Sequence, residues 1–343
     1  MVTMQRKRFG LVTCLIVVAN AIAGCSCGRA TEWLQPRKNT DQPKWGLQGG
    51  LQFAIAPGGF PSPPGGPRGL VRIGSPILAD GQHGLVNYIA VEPVVNGQKG
   101  FSELEHSQLD NVPGKRFWTD AVDGQKPNTG KLSTLPGGVQ QLEVTVHIEK
   151  FDNGAHLDLI ITQRSDRPDE IELAARTLDD SAPLEYCILT ATMGNFARAR
   201  QLWLKTETAS SLNLYRDYTD RHFAPHTTYS LEKLHRTPSG DVLVAITTDE
   251  KNPAAAQPFA GSTLWHCTGT PVTQYWKQSA DQVRDDLHAA VNGRFVYWQS
   301  RKPIPGGISF ENFELRERFY NGQRFVFGIT KQSPNELGFA PRQ

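Results

Sequence analysis

The pair Asn-Gly, or a close relative of it, recurs along this chain between apolar runs, and that recurrence limits the fold more than any other feature. A tight turn of this kind needs positive φ at its central positions, which Asn and Gly tolerate and most residues do not. Asn96-Gly97 follows the apolar run 85–95, and Asp152-Asn153-Gly154 separates QLEVTVHIEKF from AHLDLIITQRS. Ser239-Gly240 joins YSLEKLHRT to DVLVAITTD, Asn292-Gly293 joins DLHAAV to RFVYW, and Asn321-Gly322 joins ELRERFY to QRFVFGI. Around the second turn apolar residues recur at every other position, as Leu142, Val144, Val146 and Ile148 going out and Leu157, Leu159 and Ile161 coming back. A period of two is the mark of a half-buried strand. Five hairpin-like turns spread along the chain therefore predict an all-β fold, a large two-sheet antiparallel β-sandwich with one or two minor helices.

Helical pattern is scarce. Asn195 is placed to cap FARARQLWLK, where Phe196, Ala199, Leu202 and Trp203 have helical spacing, and Ser279 is placed to cap a short turn at ADQVRDDL. Residues 46–55 read as a first strand, and 57–69, PGGFPSPPGGPRG, as a surface loop that admits neither helix nor strand. No mid-chain linker interrupts 45–335, so that span is expected to be one sandwich domain rather than two, followed by a tail at 336–343. A folded part of about 290 residues can bury a large core.

The N-terminus carries a different message. Arg6, Lys7 and Arg8 precede an apolar stretch at 11–19, too short for the roughly 20 residues of a spanning helix. It ends in Ile22-Ala23-Gly24-Cys25, which resembles the lipobox of bacterial lipoproteins. The resemblance implies removal of a signal peptide at 1–24, lipidation of Cys25, and attachment to a membrane through that lipid. It implies a cell-envelope location, and Ser26 favours the outer membrane or cell surface over the inner membrane. Acyl chains contribute about 0.8 kcal/mol per buried methylene, so two or three of them anchor a protein firmly. Residues 25–44 are polar and read as a flexible tether. The formal charge of +2 falls to −1 without residues 1–24, because the three basic residues leave and no acid does. A nearly neutral chain gives no electrostatic reason to expect a nucleic-acid partner.

Cys14 leaves with the signal and Cys27 lies in the tether, so Cys187 and Cys267 are the candidates for a disulfide in an oxidising compartment, free buried thiols being the alternative. Such a bridge closes a loop of about 80 residues, worth roughly 4–5 kcal/mol on the chain-entropy model. No Cys-x-x-Cys occurs, and no metal site is expected.

Three stretches carry candidate chemistry. The first places Glu92 within an apolar run, with Glu103 and Glu105 at i, i+2 on a second expected strand beyond Asn96-Gly97. Paired carboxylates serve as acid and base or bind a cation, unless Lys99, Lys115 or Arg116 simply hold them. Pro93 suggests that Glu92 lies at a sheet edge or bulge, with Lys115 or Arg116 its nearest bases. The second, LYRDYTDRHFAPHTTY, mixes Tyr215, Tyr218 and Tyr229 with Arg216, Asp217, His222 and His226. Aromatic faces beside hydrogen-bonding groups suit sugar rings, and Pro225 breaks the helix on which the two histidines would pair on a metal. The third, IPGGISFENFEL, sets Glu311 and Glu314 among aromatics, where a carboxyl can be raised to act as a general acid. In a regular strand Phe310, Asn312 and Glu314 would face one way and Glu311 and Phe313 the other.

No nucleophile elbow, phosphate-cradling loop or dinucleotide fingerprint is present, and no cofactor is expected. The overall plan is similar to large carbohydrate-active β-sandwiches of the galactose-mutarotase-like group, a resemblance of fold that implies a glutamate–histidine catalytic pair. Together these features lead to the expectation of a lipid-anchored envelope protein that binds or processes carbohydrate. The alternative is a structural or protein-interaction lipoprotein without a small-molecule site.

Overall fold

The computed structural model describes residues 32–38, 40–57, 59–60, 68–77, 81–119, 129–193, 198–248, 272–297 and 301–340. Twenty-one strands run through them. The first eight are β1 (Trp33–Leu34), β2 (Lys44–Leu47), β3 (Gln52–Ala54), β4 (Leu70–Ser75), β5 (Gly84–Val95), β6 (Gln98–Lys99), β7 (Phe117–Trp118) and β8 (Lys131–Thr134). Next come β9 (Gln140–Ile148), β10 (Leu157–Arg164), β11 (Glu170–Thr177), β12 (Tyr186–Met193), β13 (Ala199–Trp203), β14 (Thr208–Ser210) and β15 (Thr227–Ser230). The last are β16 (His235–Arg236), β17 (Val242–Thr248), β18 (Thr273–Gln278), β19 (His288–Arg294), β20 (Ser309–Arg316) and β21 (Arg324–Thr330). One short α-helix, α1 (Ser211–Leu214), interrupts them.

All strand pairings among these are antiparallel, and they trace two sheets. The first runs β1–β2–β3–β4–β5–β12–β20–β19–β15. The second runs β9–β10–β11–β21–β18–β17–β13–β14, with β7 and β8 both on β9. The two meet where Ala199 of β13 pairs with Phe310 of β20. Between them lies the core. Val71, Ile73, Ile89, Val91, Leu189, Ala191, Phe313 and Leu315 of the first sheet belong to the same buried cluster as Val144, Leu159, Leu173, Trp276 and Phe327 of the second. Trp276 donates its indole N–H to the Phe313 carbonyl (2.9 Å), and Asn87 donates to Gln274, so polar groups inside the sandwich are bonded across it.

Three of the five turn signals make hairpins. Asn96 and Gly97, with φ of 49° and 72°, join β5 to β6; Asn153-Gly154 joins β9 to β10, and Ser239-Gly240 joins β16 to β17. The other two do not. Asn292-Gly293 lies inside β19 at a bulge against β20, where a Cβ on Gly293 would come within 2.9 Å of the Tyr215 ring. Asn321-Gly322 carries the chain from β20 in the first sheet to β21 in the second.

The helix expected over 196–205 is also absent where described, because Ala199–Trp203 is β13. Leu202 faces the core, while Trp203 packs on Leu243, Ala245, Tyr275 and Phe339 outside the second sheet. A strand apolar on both faces loses the period of two that would have marked it. Ser279 begins a plain turn, closed by the Gln282 N–H on its carbonyl. The expected single first strand at 46–55 is the hairpin β2–β3.

Both domain ends differ from the sequence reading. Trp33 and Leu34, within the expected tether, pair with β2, and Trp33 donates to Gln140 (2.9 Å). Phe339, in the expected tail, is buried on the outside of the second sheet. Cys187 is a free, buried thiol, pushed up to about 12 by its burial, as in the free-thiol alternative to a disulfide; Cys267 lies outside the described residues, as do Cys25 and the signal segment. Among the described residues no helix is long and apolar enough to cross a membrane.

Candidate functional site

In a strand, alternate residues take opposite faces, and partners in register share one. Because Ile89, Val91, Leu189, Ala191 and Phe313 point into the core, Tyr88, Glu92, Thr190, Thr192, Asn312 and Glu314 point to the outer face of the first sheet. One cross-strand row on that face runs Lys44, Ala54, Arg72, Tyr88, Thr192, Asn312 from β2 to β20. An outer sheet face usually meets water, yet Arg72, Glu92, Thr190, Asn312 and Glu314 are all buried.

The carboxylates on this face are held very differently. Glu314 is fully buried; it accepts from the Thr190 hydroxyl (2.6 Å) and Arg316 Nε (2.9 Å), and His226 Nε2 lies 3.5 Å away. Burial alone would raise its carboxyl, but the His226 hydrogen bond, the Arg316 and His226 charges and the Thr190 hydroxyl outweigh it and hold it at about 2. Glu92 pairs with Lys99, across the β5–β6 hairpin. Burial pushes its carboxyl up to about 7 against the pull of Lys99, and the negative charges of Glu103 and Glu314 push the same way. Glu103 is raised by burial too, and its Oε2 is a buried acceptor without a hydrogen-bond partner among the described residues. Glu311 lies 3.4 Å from Arg294, whose guanidinium stacks on Phe223 (4.2 Å); burial raises Glu311 and Arg294 opposes it.

The β19–β20 bulge makes this arrangement possible. Val291 pairs with Phe313 and Gly293 with Phe310, so two residues of β20, Glu311 and Asn312, oppose Asn292 alone. Phe310 and Phe313 both enter the core, contrary to the regular alternation expected for IPGGISFENFEL. Asn292 Oδ1 accepts from the Asn312 backbone N–H (3.1 Å), and Thr192 donates to Asn312 Oδ1 (3.0 Å).

Several expected site residues prove to be packing elements. Glu105 is not on a strand with Glu103, since residues 102–104 form a turn. Its oxygens take the Phe101 and Asp152 N–H groups (2.9 Å each) and buried Lys115 (3.1 Å), which also binds Asp152 (2.8 Å). Lys115 therefore staples this loop and does not serve Glu92. Pro93 does not put Glu92 at a bulge. Its carbonyl accepts from Gly100, so its ring nitrogen faces that loop and the pairing of β5 with β12 loses no donor. Tyr215 is buried against Phe310 and donates to the Val291 carbonyl (3.0 Å). Tyr218 donates to the Phe223 carbonyl (2.7 Å), and Tyr229 packs on the core, while Arg216, Asp217 and His222 are exposed. The expected aromatic sugar platform is thus spent on packing, while His226 reaches Glu314 and Phe223 stacks on Arg294, the partner of Glu311.

The sequence reading passed over Thr190, Thr192, Arg316 and Lys44. The two threonines alternate with apolar residues in YCILTATM, a pattern that marks a polar face without saying what lies across from it.

At its β1–β3 end the first sheet borders a cleft of about 620 Å³ lined by Trp33, Arg37, Lys44, Gln52, Gln82 and His83, among others. Phe60 lies against Gly74 beside it and under the Lys44 ammonium (5.1 Å). Among the described residues no group of three or more His, Cys, Asp or Glu side chains is placed to hold a metal ion. No protein-family model matches the chain, and neither a curated protein nor a solved structure is significantly similar to it.

Proposed function

We propose that the protein is a lipid-anchored component of the cell envelope that binds or processes carbohydrate on the outer face of its first sheet. One observation carries this reading. Two buried carboxyls on that face, Glu92 and Glu314, are driven apart to about 7 and about 2 by their surroundings. Groups separated in this way divide acid and base roles at neutral pH. Glu92 holds a proton to give. Glu314, buried behind the partly exposed His226, orients that imidazole, leaving His226 as the base that meets a substrate. At 3.5 Å no sugar ring fits between His226 and Glu314, so they act as one unit, and substrate lies between them and Glu92. β5 and β20 are two strand spacings apart, about 10 Å, with Thr190 of β12 between them. The resemblance to galactose-mutarotase-like sandwiches implies a glutamate–histidine pair, and these residues supply one.

The structural reading has its own support. Glu92, Glu311 and Glu314 each have a cation within the protein, as a purely structural polar layer would. A glycan array probed with wild type, Glu92→Gln and His226→Ala separates the two readings. Glycan binding or turnover lost in both variants, with folding intact, supports the site; no glycan bound by the wild type refutes it.

A further inference from the structure

The cleft at the β1–β3 end contains a cation in an unusual position. Lys44 opens β2 and is half-buried; its ammonium sits over the Phe60 ring and forms no ion pair with any described carboxylate. Burial alone lowers its pKa, and no acidic neighbour offsets that. A desolvated charge without a counter-ion is a standing cost, which an anion entering the cleft would relieve. The Arg37 side chain, at the same cleft, is exposed and also makes no ion pair among the described residues. Two carboxylates share the lining, but Glu32 is exposed and Asp41 directs Oδ2 to the Arg37 and Lys38 backbone N–H groups (2.7 and 2.9 Å). Both are more fully screened by water than half-buried Lys44.

The remaining lining suits a sugar more than a bare anion. A space of about 620 Å³ is in the range of sites for small organic ligands. Gln48, Gln52 and Gln82 bring amides, which can both donate to and accept from hydroxyls, and Trp33 contributes an aromatic wall. His83 spends one ring nitrogen on the Gly50 carbonyl (2.7 Å), and burial lowers its pKa, so it is neutral and adds a hydrogen-bonding group rather than a charge.

We propose that this cleft is a subsite for a carboxylated sugar, with Lys44 and Arg37 receiving the carboxylate. This rests on the carbohydrate reading above and narrows its substrate class to acidic glycans. Lys44 and Tyr88 lie on one cross-strand row three strand spacings, about 14 Å, apart, and Glu92 lies four residues, about 14 Å, further along β5, so an oligosaccharide spanning about 20 Å can engage Lys44 while another of its units meets Glu92.

Titration calorimetry on the full mature chain tests this, with oligogalacturonate and a neutral galactan oligomer of equal length as probes. Wild type should bind the acidic oligomer at least about tenfold more tightly, and added salt should erode that margin. Lys44→Met, which keeps most of the stem, should abolish the preference while leaving neutral-oligomer binding unchanged. Arg37→Ala, at an exposed position with no fold to disturb, should reduce it severalfold. Equal affinity for the two oligomers, or a preference that survives both substitutions, overturns the subsite and leaves the carbohydrate reading standing. Competition by inorganic phosphate as effective as that by free galacturonate also overturns it, since a general anion site would then suffice. Acidic-oligomer binding that depends on Lys44 but is indifferent to Glu92→Gln and His226→Ala supports the subsite and removes the acid–base site instead.

Discussion

Replacing Glu92 by Gln keeps the shape of the side chain and removes its titration. In the folded protein the Glu92 carboxyl rises from 4.5 to about 7, so folding takes up a proton between those values. The associated stability is fully present below pH 4.5 and is lost as pH rises through 7, in total by about 3 kcal/mol, on the order of 1.4 kcal/mol per unit. Glutamine carries no such dependence. Urea unfolding should therefore find wild type and Glu92→Gln similar near pH 5, and the variant more stable near pH 9 by up to about 3 kcal/mol. Lys99 does not reverse the sign, because its side chain is 26% exposed and regains water once its partner is neutral. Glu103 is also raised by burial, but it is common to both proteins and largely cancels in the difference. A stability difference that does not change with pH, or a variant weaker than wild type at pH 9, would mean that Glu92 is ionised throughout. Its role as a neutral-pH acid would then fall.

Glu314→Gln should behave in the opposite sense: its depressed carboxyl stabilises the fold above pH 4.5, and that contribution is lost as pH falls through about 2. Urea unfolding at pH 7 should show a loss of about 3 kcal/mol, because Arg316 and His226 lose their buried partner, and a smaller difference at pH 3. Phe339→Ala should cost about 3 kcal/mol by uncovering Trp203 and Tyr275, seen as a lower melting temperature with glycan binding unchanged. Cys25→Ala should abolish membrane attachment and labelling by radioactive palmitate; a variant that still takes up the label contradicts the lipid anchor.

The parts of the fold that could be read from sequence are those decided by neighbouring residues. The β9–β10 hairpin is one: Val144 and Val146 meet Ile161 and Leu159 in register, and the turn between them satisfies itself through Phe151 and Ala155. The same dipeptide misleads at Asn292-Gly293, because what decides its conformation is Tyr215 and Ile308 packed against the glycine from elsewhere in the chain. Trp33 and Phe339 failed for a related reason. Short apolar outliers in polar ends look like tether and tail until a distant sheet is there to receive them.

The site divides along the same line. That Glu92 is buried follows from its apolar run, and that it needs a partner follows from the cost of burying a charge. Which partner it takes depends on how tightly the hairpin folds, and the two-residue turn at Asn96-Gly97 brings Lys99 back beside it before the chain reaches Lys115. Glu314 could be named from its aromatic neighbours, but the sign of its shift could not. The same burial that raises Glu92 is overridden at Glu314 by Thr190, Arg316 and His226, the first and last brought there by β12 and by the strand order β20–β19–β15. Burial alone would make both carboxyls acids. The cross-strand neighbours instead drive one carboxyl up and the other down, and those neighbours are set by sheet order, which no local pattern in the chain records.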